Sequence, residues 1–166
     1  MTRSRRAETH PLLRAWASRR PGQLLGKGHP AGDFLEAYDW RVLEESPGVL
    51  RIRAHLPAHV RNPRGQLFGG FTPTYVDLVS LFASRTRPGA QVDASAPQWL
   101  ATTNMRVDYF DPVLGPTFHL EARIVRERGR TVMVETRFLD PGDGKLLVFA
   151  LTTLRRVTRS NKLGDA

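Results

Sequence analysis

A chain of 166 residues with 40% apolar residues is long enough for one domain with a core of ordinary size, and no repeat or low-complexity run divides it. The absence of Cys excludes a disulfide framework, a thiolate nucleophile and a thiolate metal site, and no apolar run reaches the ~20 residues that span a bilayer. A formal charge of +9 fits either an anionic partner or a solvated Arg-rich surface; with no aromatic-interleaved basic stripe, nucleic acid ranks behind a phosphate-bearing small molecule.

In chain order, residues 1–28 read as a basic, loosely held arm with one short amphipathic piece, LLRAWASRR. The N-terminus carries charge without an apolar leader, so the expected compartment is the cytoplasm. Residues 29–38 suit a short helix, with Pro30 near its start and Asp33 and Glu36 in its early turns. Strands follow at 39–45 and 49–56 across a Ser46-Pro47-Gly48 turn. In the second, Leu50, Ile52, Ala54 and Leu56 alternate with Arg51, Arg53 and His55, so one face is buried and the other wet.

The stretch 62–85, NPRGQLFGGFTPTYVDLVSLFASR, joins a Gly-rich turn to the one strongly apolar helix pattern. Tyr75, Val76, Leu78, Val79, Leu81 and Phe82 leave only Asp77 and Ser80 polar, which makes the helix a buried one. Thr72 suits an N-cap and Pro73 the first turn, although a start at Gly70 fits as well. A carboxylate here carries a desolvation cost of several kcal/mol unless it is paired or faces a wet cavity. Asp77 is therefore either half of a salt bridge to an Arg or a working group. At the other end of the helix, the amides of Gly69, Gly70 and Phe71 are expected to be free at the positive end of the macrodipole, as an oxyanion requires. Asp77 lies seven residues beyond Gly70, about 10 Å along the axis, too far for one reacting carbon to touch both. Two such helices antiparallel about a two-fold axis bring the parts together and create two equivalent sites.

Residues 86–98 read as a loop, 100–110 as the third strand, 117–127 as the fourth, 131–139 as the fifth after a tight turn at Arg128-Gly129-Arg130, and 145–157 as the last. The last strand is apolar on both faces and belongs inside the sheet; 158–166 is a polar tail. The expected fold class is α+β, an antiparallel sheet of about six strands wrapped around one long helix.

The order Asn62, Phe68-Gly69-Gly70, Asp77, with the strand ATTNMRVDYFDPV, the hairpin at Arg128-Gly129-Arg130 and the closing LTTLRRV, resembles the hotdog-fold thioesterases of the phenylacetic-acid-degradation type, within the hydroxybenzoyl-CoA thioesterase superfamily. The resemblance covers roughly residues 33–157, and the expected hotdog domain is 29–157. It implies an acyl-CoA thioesterase acting at a dimer interface. Asp77 matches the general base or nucleophile, Gly69 the backbone N–H that polarises the thioester carbonyl, Asn62 a side chain that orients carbonyl or water, and Thr102 a hydroxyl that holds the water. Leu67, Phe68, Gly70, Phe71 and the loop 86–98 are expected to shape the acyl pocket. Coenzyme A enters as part of the substrate, with no cofactor and no metal. The expected partners are a second copy, in a homodimer or a homotetramer, and acyl-CoA, with no membrane. The departure is Phe68, where the family usually has His: a phenyl ring cannot hydrogen-bond a carbonyl, and losing one such donor lowers kcat by about 10²- to 10³-fold. Phe68 therefore also fits a non-catalytic acyl-CoA-binding module, a sensor or assembly partner.

Overall fold

The computed structural model describes residues 11–87 and 99–157. Most of the loop expected at 86–98, the first ten residues and the tail 158–166 lie outside the described residues. Among the described residues there are three α-helices: α1 (Pro11–Ala17), α2 (Pro30–Phe34) and α3 (Thr72–Arg85). Six strands, β1 (Arg41–Ser46), β2 (Val49–His55), β3 (Trp99–Tyr109), β4 (Thr117–Arg128), β5 (Thr131–Leu139) and β6 (Leu146–Val157), form one sheet in the order β1-β2-β4-β5-β6-β3. Every pairing is antiparallel.

Alternation builds the concave face. Leu50, Ile52 and Ala54 of β2 pair with Ala122, Leu120 and Phe118 of β4, and all six are buried against the helix side. The turn between β4 and β5 is tight because Gly129 adopts φ +56°, a conformation that costs glycine little. Helix α3 lies in the resulting trough, with Tyr75, Val76, Leu78, Val79, Phe82 and Ala83 buried. Its buried Ser80 is satisfied by Thr136 of β5, the two hydroxyl oxygens 3.2 Å apart. Tyr75 stacks on Trp40 with centroids 5.4 Å apart, and burial, then the Glu36 carboxylate, push its phenol above the ordinary range. This is the helix-wrapped sheet that the hotdog resemblance implies. Strand β6, expected inside the sheet, has β5 on one side and β3 on the other. Among the described residues, no helix is long and apolar enough to cross a membrane.

Two expectations change. Residues 11–28 are not a loose arm: Ala15, Leu24 and Leu25 are fully buried, Trp16 stacks on Phe82 of α3 at 5.0 Å, and Gly26 N–H donates to the Ala15 carbonyl at 2.7 Å. An adjacent Leu-Leu pair has no periodicity to betray it, yet both side chains find apolar surface. Leu25→Ala should therefore cost about 2–5 kcal/mol of stability, read from the denaturant midpoint; an unchanged midpoint would return this segment to the periphery. The helix expected over 29–38 is divided, because Glu36 sits at φ +53° between α2 and a single 3₁₀ turn at Ala37–Asp39. The side chain of Glu36 meets His55 Nε2 of β2 at 2.6 Å, which ties the break to the sheet.

Candidate active site

The approach to α3 begins with Asn62, whose Oδ1 accepts from the amides of Arg64 (2.9 Å) and Gln66 (3.1 Å) while its Nδ2 donates to Gln66 Oε1 (3.2 Å). The side chain is thus committed to its own turn, as short polar side chains often are. The resemblance implies that this side chain orients a carbonyl or water; the bonds it makes in the structure are those of its own turn. Leu67, expected at the acyl pocket, is buried in the core of the single chain, and its amide donates to the Val113 carbonyl at 2.9 Å. Phe68 is extended, with φ −67° and ψ 123°, and its ring emerges 51% exposed.

The chain then makes a 3₁₀ turn at Gly69–Phe71 before α3 begins. Thr72 is the first buried residue of α3, preceded by Phe71, and no side chain caps the helix; the expected N-cap role of Thr72 is not realised. The 3₁₀ turn displaces the cap, since it supplies acceptors for the early amides. Phe71 N–H donates to the Phe68 carbonyl at 2.9 Å, so it is not free as expected. The amides of Gly69 and Gly70 have no acceptor among the described residues, and both glycines are exposed. A Cβ on Gly70 would lie 2.7 Å from Phe68 Cε1, so the Phe68 ring closes over a position that tolerates no side chain without moving it.

Asp77 is half-buried and forms no ion pair with any described residue. Its Oδ1 instead accepts a hydrogen bond from Thr102 Oγ1 of β3, and its Oδ2 has no partner among the described residues. Thr102 reaches it through a fault in the strand. The pairing of β3 with β6 slips by one residue between Thr102 and Asn104. South of the slip, Met105, Val107 and Tyr109 face inward opposite the buried Thr152, Ala150 and Val148; beyond it the parity reverses and Thr102 faces inward opposite Leu154. One extra residue switches which alternate side chains face the helix, a common use of a bulge.

Two contributors had no signal in the sequence. Tyr109, at the far end of β3, donates from its hydroxyl to the Gly69 carbonyl at 2.9 Å. Phe34 of α2, 42% exposed, packs edge-on against Phe71 at 5.4 Å, and Phe71 against Phe68 at 5.6 Å, so three aromatic rings lead away from the glycine turn. Neither could be found from local pattern, because each acts across a long sequence separation. Within one chain, the open amides lie in the 3₁₀ turn that precedes α3 and Asp77 lies in the second turn of α3, about 10 Å further on by helical rise.

Comparison with known proteins gives a consistent family. A model of the Thioesterase superfamily matches residues 64–147, just over half of the chain. No curated protein matches. Among solved structures, the chain is similar to a thioesterase family protein from Silicibacter pomeroyi, with 16% identity, a TM-score of 0.65, and coverage of 79% of this chain and 91% of that one. It is similar to zebra fish thioesterase superfamily member 2, with 21% identity, a TM-score of 0.63, and coverage of 77% and 87%. The PaaI protein of the E. coli phenylacetic acid degradation operon gives 12%, 0.63, and 78% and 85%. At such identities these three establish a shared fold.

Proposed function

Because the chain belongs to the thioesterase superfamily, we propose that it hydrolyses acyl-CoA thioesters at two equivalent sites of a homodimer, each joining Asp77 of one copy to the Gly69-Gly70 amides of the other. The observation that carries this reading is the state of Asp77. A helix carboxylate with no cation paired to it among the described residues, one oxygen held by Thr102 and the other without a partner among them, is poised to work on a ligand. In this assignment Asp77 acts as general base on water or attacks the thioester carbon directly, and Thr102 fixes its rotamer. With water as nucleophile, a proton passes to Asp77, the C–S bond breaks, and the departing thiolate of coenzyme A takes a proton back. Gly69 and Gly70 hold the oxygen that becomes negative.

Phe68, Phe71 and Gly70 contact the acyl group, joined by Phe34, while Asn62 contributes by stiffening the loop that delivers Phe68. Arginines from the +9 chain pair with the phosphates of coenzyme A, which is substrate and not cofactor. The second copy docks along β3, an 11-residue edge strand whose outer side has no strand partner among the described residues. A homotetramer would arise as two such dimers.

Phe68 favours a second reading, a hotdog module that binds acyl-CoA without turning it over, because no imidazole stands before the glycine pair. Thiol release from a panel of aromatic and fatty acyl-CoAs separates the two. Turnover of apolar acyl-CoAs well above the uncatalysed rate is expected; saturable binding with no turnover at any chain length would transfer the assignment to the binding module.

A further inference from the structure

We propose that Tyr109 is a positioning residue which fixes and polarises the Gly69–Gly70 peptide, so that the Gly70 amide is held as an oxyanion donor; the inference rests on the thioesterase reading above. The Gly69–Phe71 turn has no side-chain hydrogen bond at its start, at Phe68, and none where it enters α3. Two consecutive glycines have the widest conformational freedom of any pair, and such freedom spoils a donor that must be aimed before the reaction begins.

Tyr109 supplies what the turn lacks. Its hydroxyl donates to the Gly69 carbonyl at 2.9 Å, and the same oxygen accepts the Thr72 amide. The peptide unit is planar and trans, so a carbonyl and the N–H of the next residue point in opposite directions. Holding the Gly69 oxygen between the Thr72 amide and the Tyr109 phenol therefore sets the direction of the Gly70 N–H. That N–H has no acceptor among the described residues. Two donors on one carbonyl also draw electron density through the amide and make its N–H a stronger donor, by the cooperativity of linked hydrogen bonds. The ring adds a steric stop: a Cβ on Gly69 would lie 3.7 Å from Tyr109 Cε1, ordinary contact distance, so the phenol lies along this glycine without pressing on it.

The placement is economical in sequence. Strand β3 touches both parts of the machinery, with Thr102 on Asp77 and Tyr109 on the Gly69 carbonyl. Both side chains face inward only because the bulge between Thr102 and Asn104 changes the parity of the strand. A single edge strand thus sets the carboxylate and the donor turn of its own chain, while chemistry takes place between chains.

Tyr109→Phe keeps the ring and removes the hydroxyl. The expected result is a fall in kcat of about three- to tenfold, with KM unchanged within about twofold and the melting temperature close to wild type, because one neutral hydrogen bond to a peptide is lost. In the ligand-free protein, the ¹H resonance of the Gly70 amide should move upfield in the same variant as its polarisation weakens. A rise in KM alone would make Tyr109 a substrate contact and overturn the proposal, and so would an unmoved Gly70 resonance. Wild-type protein without thioester hydrolysis would sink the proposed function instead, and the Gly70 resonance would still decide whether the hydroxyl governs the turn.

Discussion

Asp77→Asn should lower acyl-CoA hydrolysis by about 10²- to 10⁴-fold, the range that one positioned acid-base group contributes, while leaving fold and dimer intact. The substitution is isosteric, and Asn Oδ1 can still accept from the Thr102 hydroxyl. Among the described residues no arginine or lysine loses a partner, because Asp77 forms no ion pair with any of them. Structural damage of the kind that follows from breaking a buried salt bridge is therefore absent by construction. Thr102→Val supplies the scale for comparison. It removes one hydrogen bond to a charged acceptor, about 1.5–3 kcal/mol, which corresponds to about a 10- to 10²-fold loss if all of it is felt in the transition state. The order of the two effects is the test. Hydrolysis in Asp77→Asn within tenfold of wild type would remove the carboxylate from the chemistry, and a larger loss in Thr102→Val than in Asp77→Asn would shift the main role to the hydroxyl.

Much of the architecture was legible from sequence because the strands obey period two and their turns carry glycine at the tight positions. The fifth strand, 131–139, matches β5 at both ends, and the alternation of Leu50, Ile52 and Ala54 matches the buried face of β2. What resisted was anything set by parity or by long-range contact. Leu67 and Phe68 are adjacent apolar residues, and the sequence cannot say that the backbone sends one into the core and the other outward. The run Thr102-Thr103-Asn104 has no apolar alternation to lose, so the bulge that turns Thr102 toward Asp77 left no trace in hydropathy. Thr102 entered only through the family resemblance. The sequence implies a free Phe71 amide because its pattern sets the helix directly after the glycines; the intervening 3₁₀ turn consumes that donor and leaves two. The separation of Asp77 from the glycine pair, by contrast, follows from residue count alone, and it is the premise of the two-chain site.

That premise has a consequence which no single-chain arrangement shares. Take two variants with different lesions: Asp77→Asn, which lacks the carboxylate, and Gly70→Val, in which a Cβ 2.7 Å from the Phe68 ring must displace that ring or the turn. Each homodimer should be inactive, since every site in it contains one damaged part. When the two are unfolded together and refolded at equal concentration, half of the dimers are expected to be mixed. In a mixed dimer, one site receives the glycine turn of the Asp77→Asn chain and the Asp77 of the Gly70→Val chain, both intact; the other site collects both lesions. Activity should therefore return to about a quarter of wild type per chain, the share set by random pairing. If Asp77 and the turn of the same chain acted together, every site would keep one lesion and mixing would restore nothing. A recovered signal also requires the dimer itself, so dilution below its dissociation constant should abolish wild-type and mixed activity in parallel.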